Sequence, residues 1–93
     1  MINPLTLAEL QKIISERYEK VDRARGTPGT WLHFSEEIGE LARALARNDK
    51  CNLEEEFADV IAWLCTLANI NDIDLTAAVT RKYLSDDAPK TPK

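Results

Sequence analysis

Apolar residues recur at three- and four-residue spacing along most of the chain, and no period-two alternation lasts long enough for a strand. Leu7, Leu10, Ile13, Ile14 and Tyr18 form one stripe. Thr6-Leu7-Ala8-Glu9 at its start has the form of a capping box, so the pattern predicts a first helix from Leu7 to about Val21. The run Gly26-Thr27-Pro28-Gly29 should break it, leaving a loop over 22–29. Thr30 is the expected cap of a second helix, Trp31 to about Arg47, closed by the polar break Asn48-Asp49-Lys50. Asn52 with Glu55 opens a third, from about Leu53 to Ile70. Asp74 caps a fourth, from Leu75 to about Leu84. The expected fold is all-α: a four-helix bundle over 1–84, completed by homo-oligomerisation, with 85–93 a flexible tail.

Both central helices carry acids three residues apart, Glu37/Glu40 and Glu56/Asp59. Such partners project from one side of a helix, about 5–6 Å apart at Cβ. On a wheel with Glu36 as origin, Phe34, Ile38, Leu41 and Leu45 fall at about 140–200° and set the core direction. Glu37, at about 100°, is on the shoulder of that arc, and Glu40 lies at about 40°. With Glu55 as origin, Phe57, Val60, Ile61, Leu64 and Leu67 span about 120–240°. Trp63 and Ile70 widen the arc, which places Glu56, at about 100°, inside it and Asp59, at about 40°, on its border.

An ionised carboxylate among apolar neighbours is costly unless paired or metal-bound. Facing helices would gather four oxygen donors, a set that suits magnesium or manganese. The competing reading is a solvated acidic face, with Arg43, Arg47 and Arg81 as ion-pair partners and Glu54-Glu55 placed to suit a helix N-terminus.

The bulk numbers narrow the partners. A chain of 93 residues is one small domain, and one this size buries only about 60% of its unfolded surface, so its core is marginal without a partner copy or ligand. Net charge −4 argues against nucleic-acid binding, which needs clustered Lys and Arg. It does not exclude a nucleotide, because a bound cation inverts the local field. Cys51 and Cys65 are isolated and lack zinc-ligand spacing, so two reduced, buried thiols in a cytoplasmic protein are expected. The N-terminus lacks a basic-then-apolar leader, and the longest apolar run, Val60 to Cys65, is too short to span a bilayer.

The acids and their flanks resemble a known family. Glu36-Glu37-Ile38-Gly39-Glu40 followed by Glu56-Phe57-Ala58-Asp59 is similar to the EExxE…ExxD signature of the MazG-like all-α nucleoside triphosphate pyrophosphohydrolases. The flanking text is similar too, through Asp59-Val60-Ile61-Ala62-Trp63-Leu64, Asn71-Asp72-Ile73-Asp74-Leu75 and Arg81-Lys82-Tyr83. The resemblance runs from about Leu7 to Tyr83. Asp86 departs from it, standing where some members carry a helix-end asparagine.

The resemblance implies cleavage of a nucleoside triphosphate between its α- and β-phosphates, in a homodimer or homotetramer. Glu37, Glu40, Glu56 and Asp59 would hold Mg²⁺, with Mn²⁺ possible. Glu36 would be an auxiliary ligand or, with Glu37, orient the attacking water. Lys82 is similar to a basic residue near the phosphates. His33, one turn before Glu37, can face the same site. Trp63 and Trp31 are large enough to stack on a base or to fill core, and Arg23 and Arg25 lie in a segment able to reach phosphate. Two alternatives stay open. One is a phosphoribosyl-ATP pyrophosphohydrolase; the other is a non-catalytic, metal-binding dimerisation or regulatory module.

Overall fold

The computed structural model describes residues 4–92, so the first three residues of the expected bundle and the last of the expected tail lie outside it. Three helices follow in order: α1 (Leu7–Arg47), α2 (Lys50–Ile70) and α3 (Leu75–Tyr83). No strand occurs among the described residues. The first two of the four expected helices are thus joined into one kinked element, α1.

The difference lies at residues 22–29. Instead of a loop, the chain stays helical on both sides of one residue, Gly26, at φ 80° and ψ 173°. That region of backbone space is essentially restricted to glycine. Pro28 restarts the helix two residues later, where a first-turn proline loses no intrahelical bond and its fixed φ is already helical. A kink, not a loop, joins the two limbs of α1. Thr30, the expected cap, is instead fully buried inside the second limb and accepts from Arg25 Nε at 3.0 Å. Gly26→Ala is expected to cost about 1–3 kcal/mol in urea unfolding, through backbone strain, since a Cβ there has room.

The other boundaries follow their caps. Thr6 and Glu9 form the predicted box, with Glu9 N donating to Thr6 Oγ1 at 3.1 Å and Thr6 N to Glu9 Oε1 at 2.8 Å. Asn48 ends α1 in the left-handed conformation, φ 54°. Asp49, not Asn52, caps α2; its side chain accepts from Asn52 N, so the helix starts three residues earlier than expected. Asp74 caps α3 as read from the sequence. Beyond Tyr83 the described residues form only turns and bends.

α2 contacts both limbs of α1. Thr66 Oγ1 donates to Asp22 Oδ2 and Asn69 Nδ2 to the Gln11 carbonyl on the first limb, while Trp63 stacks on His33 of the second. Gln11 also fixes α3, donating to the Ile73 carbonyl and accepting from Leu75 N.

The buried stripe of the second limb runs Thr30, Phe34 and Ala44, with Glu37 and Leu41 partly buried between them. It is rotated from the predicted direction: Ile38 and Leu45 are exposed at 43% and 54%. On the first limb Ile14 is buried, whereas Tyr18 is exposed. Both cysteines are free thiols; Cys65 is buried, as expected, but Cys51 is exposed. No helix of the described residues is long and apolar enough to cross a membrane.

Candidate metal centre

Glu37 reaches the interface of α1 and α2 because the residues that bury its limb recur at 34, 37, 41 and 44. Glu56 and Asp59, one turn apart near the start of α2, meet it from the opposite side. One oxygen from each of Glu37, Glu56 and Asp59 lies within 4.8 Å of the others. The side chains of Glu37 and Glu56 share a hydrogen bond. Glu37 Oε2 is buried without any hydrogen-bond partner. A buried acceptor left unpaired costs free energy, a cost that an electron-poor ligand bound to this cluster would offset.

The field around these groups is strongly negative. Burial, followed by the charges of Glu40, Asp59 and Glu56, holds the Glu37 carboxyl above its ordinary range. Glu56 is also raised, first by desolvation and then by Glu40 and Asp59, although the Glu37 hydrogen bond opposes this. Glu40 is exposed; it adds its charge to the cluster from outside the three converging oxygens. An oxygen-only donor set of this kind fits a hard divalent cation.

The remaining sequence candidates take varied places. Glu36 is exposed at the rim, 3.4 Å from His33 Nδ1. His33 lies flat against Trp63, ring centroids 5.2 Å apart and planes inclined by 14°. Arg25 stands over the same indole at 4.9 Å. Trp31 is exposed and leans on Phe34. Arg23 faces elsewhere: it pairs with Glu19 and Asp72 and donates to the Asn69 carbonyl, tying α1 to the α2–α3 turn. Lys82 is exposed in the last turn of α3, over the Tyr83 ring.

The description of the MazG nucleotide pyrophosphohydrolase domain matches residues 27–85, more than half of the chain. The chain belongs to the MazG family. It is therefore a hydrolase of the pyrophosphohydrolase type with a nucleotide substrate. No curated protein matches it. The MazG match begins just past the Gly26 kink, so it holds all three converging acids and omits the first limb of α1.

That omitted limb carries buried or part-buried polar residues, of which Asp22 was not among the sequence candidates. Asp22 is buried; its Oδ1 accepts from Arg25 Nη2 at 2.5 Å and its Oδ2 from Thr66 Oγ1 at 3.0 Å. The signal for them was present, since Ile14, Tyr18, Val21, Asp22 and Arg25 continue the helical spacing of the first stripe. The Gly-Pro-Gly run concealed it.

The raised carboxyls of this MazG chain fix a pH dependence. A group whose folded pKa exceeds its unfolded value stabilises the fold below the unfolded value and loses that contribution as pH rises through the folded one. Without metal, the melting temperature should therefore fall as pH rises from the ordinary carboxylate range through the raised values of Glu37 and Glu56. Added magnesium should reverse the loss, and by more at higher pH, because ligands must be deprotonated. Thermal melts in EDTA and in magnesium across that range measure both.

Proposed function

We propose that the protein is a magnesium-dependent nucleoside triphosphate pyrophosphohydrolase, cleaving (d)NTP between the α- and β-phosphates to give the monophosphate and pyrophosphate. The observation that carries this reading is the convergence of Glu37, Glu56 and Asp59 around a buried carboxylate oxygen that has no partner. These three would hold the cation, with Glu40 joining from the rim; manganese is the alternative ion. When bound, the cation neutralises phosphate charge and acidifies a coordinated water.

The chain's own groups supply the rest. Glu37, partly buried, would hold the cation through one carboxylate oxygen and take the proton of the attacking water on the other. Glu36, exposed and beside His33, acts from the rim by orienting that water. Lys82 meets the outer phosphates as a point charge. His33 and Trp63 form one stacked wall beside the acids, against which the nucleoside lies. Arg23, whose guanidinium is engaged by Glu19, Asp72 and Asn69, holds the α2–α3 turn and has no assignment to substrate.

We assign the active form to a homodimer or homotetramer in the cytoplasm, with neither nucleic acid nor membrane as partner. The exposed apolar side chains of Ile38, Phe57, Ile61 and Leu64 support the oligomer. The test is a panel of canonical and modified nucleoside triphosphates with magnesium, read by pyrophosphate release, with phosphoribosyl-ATP as a separate arm. Release from one or more triphosphates is expected. Cleavage of phosphoribosyl-ATP alone would move the assignment to that substrate. A magnesium-dependent rise in melting temperature with no cleavage of anything would support the non-catalytic module instead.

A further inference from the structure

The guanidinium of Arg25 ties both limbs of α1 to α2 around a single indole. It donates from Nε to Thr30 Oγ1, on the second limb, at 3.0 Å and from Nη2 to Asp22 Oδ1 on the first. Asp22 in turn accepts from Thr66 Oγ1 at 3.0 Å, and Thr66 lies one turn beyond Trp63 on α2. The same guanidinium stands 4.9 Å from the centre of the Trp63 ring. Trp63 is the ring on which His33 lies flat.

Two features favour a fixed rather than a swinging Arg25. The first is its pairing with Asp22, at side-chain exposures of 23% and 7%. A planar guanidinium engaged along its edges can still offer its face to an aromatic ring, which an ammonium cannot do.

The second is Gly29. It lies within a helix, where glycine is the poorest choice after proline. Its backbone is not in the left-handed region, so conformation does not call for glycine. A Cβ there would lie 2.9 Å from Arg25 Cγ and 3.5 Å from Arg25 Cδ. Those atoms belong to the stem, and the head beyond them is held by Thr30 and Asp22. The missing side chain at 29 leaves the path that Arg25 takes to Trp63.

We infer that Arg25 is a positioning residue for the stacked wall of Trp63 and His33, and that Gly29 gives it passage. Asp22 and Thr66 hold it in place. Residues 22 and 25 lie outside the family match at 27–85, so the wall leans on the limb which that match omits. The role of Arg25 in the reaction rests on the hydrolase reading and adds to it how the nucleoside's wall is held.

The chain has a single histidine, whose ring protons therefore give NMR signals of their own. Stacked on an indole, those protons are displaced upfield by the ring current. In Arg25→Ala they should move towards the position of a free imidazole, compared in alkaline buffer so that both proteins carry the same protonation state. Pyrophosphate release in magnesium should show KM raised about tenfold and kcat changed by less than about twofold, the pattern of lost binding rather than lost chemistry. A loss of stability alone would move neither the signals of the folded protein nor KM. In a Trp63→Leu background Arg25→Ala should add nothing to KM, because its effect passes through the ring. Should Arg25→Ala fail to fold, Gly29→Ala decides. It keeps the guanidinium and displaces the stem, so the His33 signals and KM should shift in the same direction by smaller amounts.

Unmoved His33 signals in the deciding variant would overturn the inference whatever the activity. Moved signals with an unchanged KM would overturn it too, since the wall would then bear on no nucleotide. So would a full effect of Arg25→Ala in the Trp63→Leu background, which would place Arg25 against the nucleotide itself. Moved signals with no pyrophosphate from any triphosphate would overturn the hydrolase and leave the support of the ring pair standing.

Discussion

Glu56→Gln is expected to lower pyrophosphate release by about three orders of magnitude while raising the melting temperature of the metal-free protein. The two effects share one cause. Glu56 lies with Glu37 and Asp59 in a group of oxygens within 4.8 Å, and Glu40 adds to the repulsion that raises its pKa. Without a cation, removing one of these charges relieves the others, so stability rises. With magnesium present the same charge is a ligand, and an amide oxygen is a weaker one. The variant should therefore lose most of the magnesium-induced thermal shift, which in the parent grows as RT ln(1 + [L]/Kd). Melts with and without magnesium, beside a single-turnover assay, measure the set. A variant that keeps both its activity and its magnesium shift would remove Glu56 from the metal centre. A loss of melting temperature without metal would show that its interactions in the apo protein are net favourable. Glu54→Gln, on an exposed acid of the same run, is the control and should change neither.

The carboxylate geometry was legible in the sequence because helical spacing is a local property. Once 37 and 56 were placed on their wheels, both fell towards the apolar side, and both are partly buried. Glu36 and Glu55, the wheel origins opposite the apolar arcs, are exposed. What the wheels could not give was the width of the arc that one chain buries. The apolar arc of the second limb includes Ile38 and Leu45, yet the face that meets α2 is centred on Thr30, Phe34, Glu37 and Ala44. Hydrophobicity marks all surfaces that avoid water, including those reserved for another molecule, and does not distinguish among them.

The kink was misread for a different reason. Gly26, Pro28 and Gly29 each weaken a helix taken singly, but a proline two residues after a positive-φ glycine sits in a first turn, where it is tolerated. The segment therefore changes direction at one non-helical residue, with helix running up to it on both sides. Asp22 and Arg25 then fall within a helix, and the buried pair with Thr66 becomes possible. That pairing joins residues 44 apart in sequence, which no local pattern records.

Ile61→Glu is expected to convert the protein from an oligomer to a monomer. α2 touches both limbs of α1, yet Phe57, Ile61 and Leu64 remain 54%, 42% and 42% exposed. They cluster on one side of the helix at three- and four-residue spacing, and Ile38 and Leu45 extend the apolar surface on α1. The hydrophobic side chains buried within one chain are only Ile14, Phe34, Ala44, Cys65 and Ala68 among the described residues, a thin core for a domain of this length. Covering a large apolar side chain contributes about 1.5–3 kcal/mol, so two copies sharing this face would gain what the single chain lacks. A glutamate at its centre would have to be buried unpaired, and association should fail. Sedimentation should give a multiple of the chain mass for the parent and one chain mass for the variant. The parent's melting temperature should rise with protein concentration, as mass action requires of a fold stabilised by its own partner, and the variant's should be lower and independent of it. A parent that sediments as one chain at its highest soluble concentration would rule out this face as a self-association surface. Because Glu56 and Asp59 lie on the same helix, loss of the partner should also weaken magnesium binding. Ile61→Leu, which keeps the apolar surface, should restore both the assembly and the metal shift.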